Sequence, residues 1–112
     1  MLIYKIVSNE LWRAAEALGV FTGAPIDLAD GYIHFSTALQ AQETADKHFA
    51  GQDNLLLVAL EAEAFDTALK WEVSRGDALF PHLYGTFRPE QAVWVKALPL
   101  DMAGRHIFPE LA

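Results

Sequence analysis

Asp30-Gly31-Tyr32-Ile33-His34-Phe35-Ser36-Thr37 opens with a turn dipeptide and continues as an alternating segment. In an extended chain Ile33 and Phe35 project to one side, and Tyr32, His34 and Ser36 to the other. The first side belongs against a core. The second carries a phenol, an imidazole and a hydroxyl in one row. Ser36 or Thr37 then caps a helix, and Thr37 with Gln40 three residues on has the spacing of a capping box.

Upstream, Val20 to Gly31 holds Gly23, Pro25 and the Asp30-Gly31 pair, which predicts a long loop. Before it, Ser8 caps a helix with Glu10 in its first turn, Leu11, Trp12, Ala15 and Leu18 recur at helical spacing, and Gly19 is the stop. Leu2 to Val7, β-branched and aromatic, suits a strand. Downstream, Ala38, Ala41, Ala45 and His48 or Phe49 form the inner stripe of the second helix, which Gly51 ends. Asn54 to Leu60 is apolar on both faces and predicts a central strand. A helical turn near Ala64 to Ala68 leads to a strand at Leu69 to Val73. An extended piece covers Phe80 to Thr86, Pro89 makes a turn, and Val93 to Leu98 is the last strand. Helices concentrate in the first half and strands in the second, so the class is α+β rather than a doubly wound sheet.

Eight Lys and Arg against fifteen Asp and Glu give 112 residues a net charge of −7, and 53% hydrophobic residues suffice for a core. One domain spanning 1–112 is expected, its core about residues 2–100 and its tail from Asp101 loosely ordered. The absence of cysteine excludes disulfides, thiolate metal sites and a cysteine nucleophile. The acidic balance speaks against a nucleic-acid partner. No apolar run approaches the roughly 20 residues of a membrane span. The opening Met1-Leu2-Ile3-Tyr4-Lys5 lacks the pattern of a signal peptide, so a cytoplasmic location is expected. The oligomeric state is not legible: Trp12, Trp71 and Trp94 suit a core or an interface equally.

Three segments offer polar groups from one sheet face. They are Tyr32, His34 and Ser36; Lys70 and Glu72, opposite Trp71; and Phe80, His82 and Tyr84. If those faces converge they form a cleft. Each residue also has a structural role open to it, as a core-side histidine, a helix cap, a solvated strand acid or a buried aromatic. There is no Gly-rich phosphate loop, nucleophile elbow or HExxH pair. The four histidines lack local ligand spacing, so no metal is expected.

The Asp30–Thr37 run, Thr44-Ala45, His48-Phe49-Ala50-Gly51, Trp71-Glu72 and Phe80-Pro81-His82-Leu83-Tyr84-Gly85 together resemble the small bacterial family called domain of unknown function 952. The resemblance runs from Ile3 to about Leu100. It implies a fold similar to ADP-ribosyltransferases, with a split, mostly antiparallel sheet, two main helices in the first half, and a cleft between the sheet halves. It implies no established activity. By analogy with ADP-ribosyltransferases, Lys5 falls at the first-strand position of a nicotinamide pocket and Gly31 to Ser36 at the middle strand. The late acid is Glu72 or Glu90. His34 with Ser36 is also similar to the histidine strand of RNA 2′-phosphotransferases, which use NAD. The expected function is therefore a small-molecule cleft for NAD or a related nucleotide, as ligand or as substrate of glycosyl transfer or hydrolysis. Glu72 and His34 are the catalytic candidates; Lys5, Tyr32, Ser36, Thr37, His82 and Tyr84 are the ligand-binding ones. The alternatives are a non-catalytic ligand-binding or regulatory protein and, ranked last, a His-x-Ser phosphoesterase built on His34-Phe35-Ser36 and His82-Leu83-Tyr84.

Overall fold

A computed structural model describes residues 1–111. The described chain runs β1 (Leu2–Ser8), α1 (Asn9–Leu18), α2 (Pro25–Asp30), β2 (Ile33–His34), α3 (Ala41–His48), β3 (Leu55–Glu61), β4 (Leu69–Val73), β5 (Leu79–Leu83) and β6 (Trp94–Ala97). Short 3-10 turns lie at Ala62–Ala68, Arg75–Asp77 and Pro89–Gln91. The strands form two three-stranded antiparallel sheets, ordered β1-β3-β6 and β2-β5-β4. The α+β class and the antiparallel pairing thus follow the sequence.

Among the described residues, the two sheets are joined by the bridge of Tyr4 with Ser36. Tyr4 N–H donates to Ser36 O at 2.8 Å, and Ser36 N–H donates to Tyr4 O at 2.9 Å. Just before it, Phe35 N–H still donates to Pro81 O on β5, at 3.0 Å. The chain therefore changes sheets between Phe35 and Ser36. That is why the extended segment read over Tyr32 to Ser36 leaves a ladder of only two residues.

Strand β3 is central in its sheet, and its two faces serve two cores. Val58 and Leu60 join Ile3, Val7, Trp12, Phe21, Ile33, Phe35 and Phe87; Leu55, Leu57 and Ala59 join Tyr4, Ile6, Ala45 and Leu98. Helix α1 is capped as expected: Ser8 Oγ accepts from Leu11 N–H at 3.1 Å, and Gly19 closes it in the left-handed conformation. Trp12 and Ala15 are buried, but Leu18 at the exposed end of the stripe is not.

Two local expectations are corrected. Residues 20–31 are not a loop throughout, because Pro25 starts the short helix α2 and the Asp27 side chain accepts Ala24 N–H at 2.7 Å. Gly31 ends it at φ 87°, a conformation glycine takes without strain. The second helix begins at Ala41, not directly after Ser36 or Thr37. Only the glutamine half of the capping box forms, with Thr37 N–H donating to Gln40 Oε1 at 3.0 Å. Beyond Asp101 the chain makes definite contacts. Leu100 bridges His106, Arg105 reaches Asp46 at 3.1 Å, and Phe108 and Leu111 pack on the second core.

Phe87 is 1% exposed and meets the rings of Trp12, Phe21, Phe35 and Phe65. Phe87→Ala is expected to lower unfolding free energy by about 3–5 kcal/mol in chemical denaturation. Leu39→Ala, at a site 96% exposed, is expected to change it by no more than about 0.5 kcal/mol.

Candidate functional site

At the seam between the sheets lies a cavity of about 490 Å³. That volume falls in the range of roughly 300–1,000 Å³ that small-molecule sites occupy. Its polar wall includes Lys5, Asp30, His34, Ser36, Thr44 and His82; Ile6, Phe49 and Phe80 contribute apolar wall.

Beneath the cavity sits a buried carboxylate that sequence reading did not single out. Asp27 is 2% exposed. Lys5 Nζ lies 3.0 Å from it, and Ala24 N–H donates to Oδ2. His34 approaches it twice, through its main-chain N–H at 3.1 Å and its ring Nδ1 at 2.6 Å. Burial pushes the Asp27 carboxyl up. The hydrogen bond from His34, the Lys5 charge and the Ala24 amide outweigh it and bring the pKa from 3.8 down to about 2. For Lys5 the balance runs the other way: burial lowers its pKa more than Asp27 raises it. The signal for Asp27 was the Ala24-Pro25-Ile26-Asp27 sequence, a proline at the first helical position with an acid two residues later.

His34 also meets a second acid, since its Nε2 lies 2.9 Å from Asp30 Oδ2 across one helical-length step of chain. Both nitrogens of this ring are therefore engaged by carboxylates. His82 is different. It is 3% exposed, its Nδ1 lies 2.8 Å from Glu72 Oε1, and no side chain among the described residues engages Nε2. Glu72 Oε1 also accepts from Tyr84 OH at 2.8 Å. These two hydrogen bonds, His82 first, hold the Glu72 carboxyl below its usual range. The Tyr32 ring stacks on His82 with centroids 4.2 Å apart at 27°, and His34 meets His82 edge-on at 5.4 Å.

On the far wall, Thr44 Oγ1 donates to Gln40 O at 3.1 Å, and Ser36 Oγ lies 2.8 Å from Thr44 Oγ1. With the threonine proton directed to Gln40, Ser36 is the donor in that contact. This hydroxyl pair ends on the Gln40 carbonyl.

The faces of β2, β4 and β5 thus converge. Lys5, His34, Ser36 and His82 line the cavity. Tyr32, Glu72 and Tyr84 stand behind or beside His82, not on the wall. Thr37 is engaged in the approach to α3, through its amide on Gln40. Glu90 is an exposed residue of the Pro89–Gln91 turn, paired with Arg88 at 2.8 Å. Asp30 and Thr44 had appeared in the sequence only inside the longer motifs.

Residues 6–95 match the family model described as Protein of unknown function (DUF952). The chain belongs to this family. A crystal structure of protein CC0527 from Caulobacter crescentus is 51% identical, covers 96% of this chain and 94% of its own, and superposes with a TM-score of 0.92. A solution NMR structure of CC0527 is 53% identical over 93% of this chain and 90% of its own, with a TM-score of 0.84. No curated protein matches the chain. The DUF952 description names no activity, so membership carries the fold and leaves the chemistry to the site itself.

The depressed Asp27 carboxyl makes stability pH-dependent with a definite sign. A group with a folded pKa near 2 against 3.8 unfolded stabilises the fold above the unfolded value and loses that contribution as pH falls through the folded one. The contribution near neutrality is on the order of 2 kcal/mol. Asp27→Asn is expected to be less stable than the native chain near pH 7. Its stability curve is also expected to be flatter between about pH 4 and pH 2. Denaturant melts over that range check both.

Proposed function

We propose that this DUF952 protein binds NAD or a related nucleotide in the cavity at the seam, with the nicotinamide-like end seated against His34 and His82. The observation that carries the reading is the convergence there of two histidines, Ser36, Thr44 and Asp30 beside the apolar wall of Ile6, Phe49 and Phe80. A flat polar heterocycle with a ribose needs that mixture of ring-sized apolar wall and oriented hydrogen-bonding groups. The two antiparallel half-sheets with a cleft between them also suit the resemblance to ADP-ribosyltransferases, and that fold likeness is part of this proposal. His34, held between Asp27 and Asp30, does not offer the free ring nitrogen that a His-x-Ser phosphoesterase would need.

One observation favours a second reading, ligand binding without chemistry. Glu72, the acid expected to face a reacting ribose, is spent on His82 and Tyr84 and does not line the cavity. A carboxylate stabilises developing positive charge only where it faces it.

Isothermal calorimetry against NAD, ADP-ribose and nicotinamide tests the proposal. Saturable binding is expected for NAD, weakened at least tenfold in His34→Ala. Absence of heat with all three ligands would overturn the nucleotide reading.

A further inference from the structure

We propose that His82 is the proton acceptor of this site, set in place by Glu72, and that it activates a water molecule against the ribose carbon of a bound N-glycoside such as NAD; this rests on the nucleotide reading of the cavity. The argument begins with the difference between the two histidines. Both ring nitrogens of His34 face carboxylate oxygens, at 2.6 Å and 2.9 Å. A ring so flanked has neither nitrogen open toward a ligand. His82 has one nitrogen on Glu72 and the other unengaged, on a residue that lines the cavity.

The acceptor Glu72 Oε1 requires Nδ1 of His82 to carry the hydrogen. In the neutral ring, Nε2 is then the basic atom. Three neighbours fix the orientation of that ring. Glu72 holds Nδ1, Tyr32 covers one face at 4.2 Å, and His34 abuts it at 5.4 Å. Tyr84 in turn donates to the same Glu72 oxygen and steadies it. Carboxylate, imidazole and a reacting group in line are the arrangement by which an acid orients a histidine base. In this arrangement Glu72 is a positioning residue, because it touches His82 and not the cavity.

The step balances with water as the only co-reactant. Nε2 takes one proton from water while the water oxygen bonds to C1′ of the ribose. The C1′–N bond breaks, and its electron pair stays on the departing ring nitrogen, which converts the cationic pyridinium to neutral nicotinamide. The products are nicotinamide and the free-sugar nucleotide. The proton on His82 passes to solvent and restores the base.

The experiment joins ring NMR with turnover on the intact chain. Long-range ¹⁵N–¹H correlation on the native protein is expected to show His82 protonated at Nδ1, and Glu72→Gln to lose that tautomer preference. An Nε2-protonated His82 in the native protein would overturn the proposal with no ligand involved. Nicotinamide release from NAD is then followed by chromatography, with affinity measured in parallel. The expected result is release by the native chain, and a fall of about 10²–10⁴-fold in His82→Gln with NAD still bound. Binding without release, or equal release by His82→Gln, would overturn the role of His82 and leave the binding reading standing. Absence of NAD binding would overturn both.

Discussion

The Asp27 carboxylate, buried under the seam, is the constraint from which the site follows. Removing such a group from water costs several kcal/mol, and only a full set of donors offsets that cost. Here the set comes from three separate segments: Lys5 on β1, Ala24 at the start of α2, and His34 on β2. One side chain thereby ties together a strand of each sheet and the helix between them. Among the described residues, the backbone joins the sheets at the bridge of Tyr4 with Ser36. Ladder hydrogen bonds at that bridge fix the register, but they leave the angle between the sheets to side chains. The charged cluster is one set of such contacts, beside the apolar core in which Ile3 and Val7 of one sheet meet Ile33 and Leu83 of the other.

An apolar replacement of such a buried ion pair is often as stable as the pair itself. Stability alone is therefore a weak reason for Lys5 and Asp27. Their geometric consequence is more specific. The bond from Asp27 to Nδ1 turns the His34 ring so that Nε2 meets Asp30, and His34 then abuts His82. A methionine and a leucine in the same volume would fill the space without orienting the imidazole. The pair that looks like core filling is what places the histidine.

How much of this was legible depends on the range of the interaction. The row of Tyr32, His34 and Ser36 could be read because strand alternation is local, and so could the shared side of Phe80, His82 and Tyr84, whereas the meeting of that side with Glu72 stood only as a condition, because it depends on cross-strand pairing. The central position of β3 was legible because its residues are apolar on both sides. Asp27 was missed because it lay in a stretch dominated by Gly23, Pro25 and Gly31, whose turn signals hid a six-residue helix. Its partners Lys5 and His34 are 22 and 7 residues away, and no periodicity links them. The catalytic weight placed on His34 and Glu72 was also a matter of range. Sequence shows that an imidazole and an acid share a face, but not that one imidazole is already saturated and the acid already spent on the other.

The chemistry of the cavity wall also limits what can enter it. Ser36 Oγ stands 2.8 Å from Thr44 Oγ1, which donates to Gln40 O, so this pair of wall hydroxyls is anchored to the approach to α3. Asp30 adds a carboxylate, and the Lys5 charge is already taken by Asp27. The Asp30 carboxylate on the wall favours ligand groups that donate or carry positive charge. In a dinucleotide such as NAD, those groups are the amide, the ribose hydroxyls and the pyridinium ring. The proposed ligand orientation, with the nicotinamide-like end against His34 and His82, accords with the carboxylate that Asp30 brings to the wall.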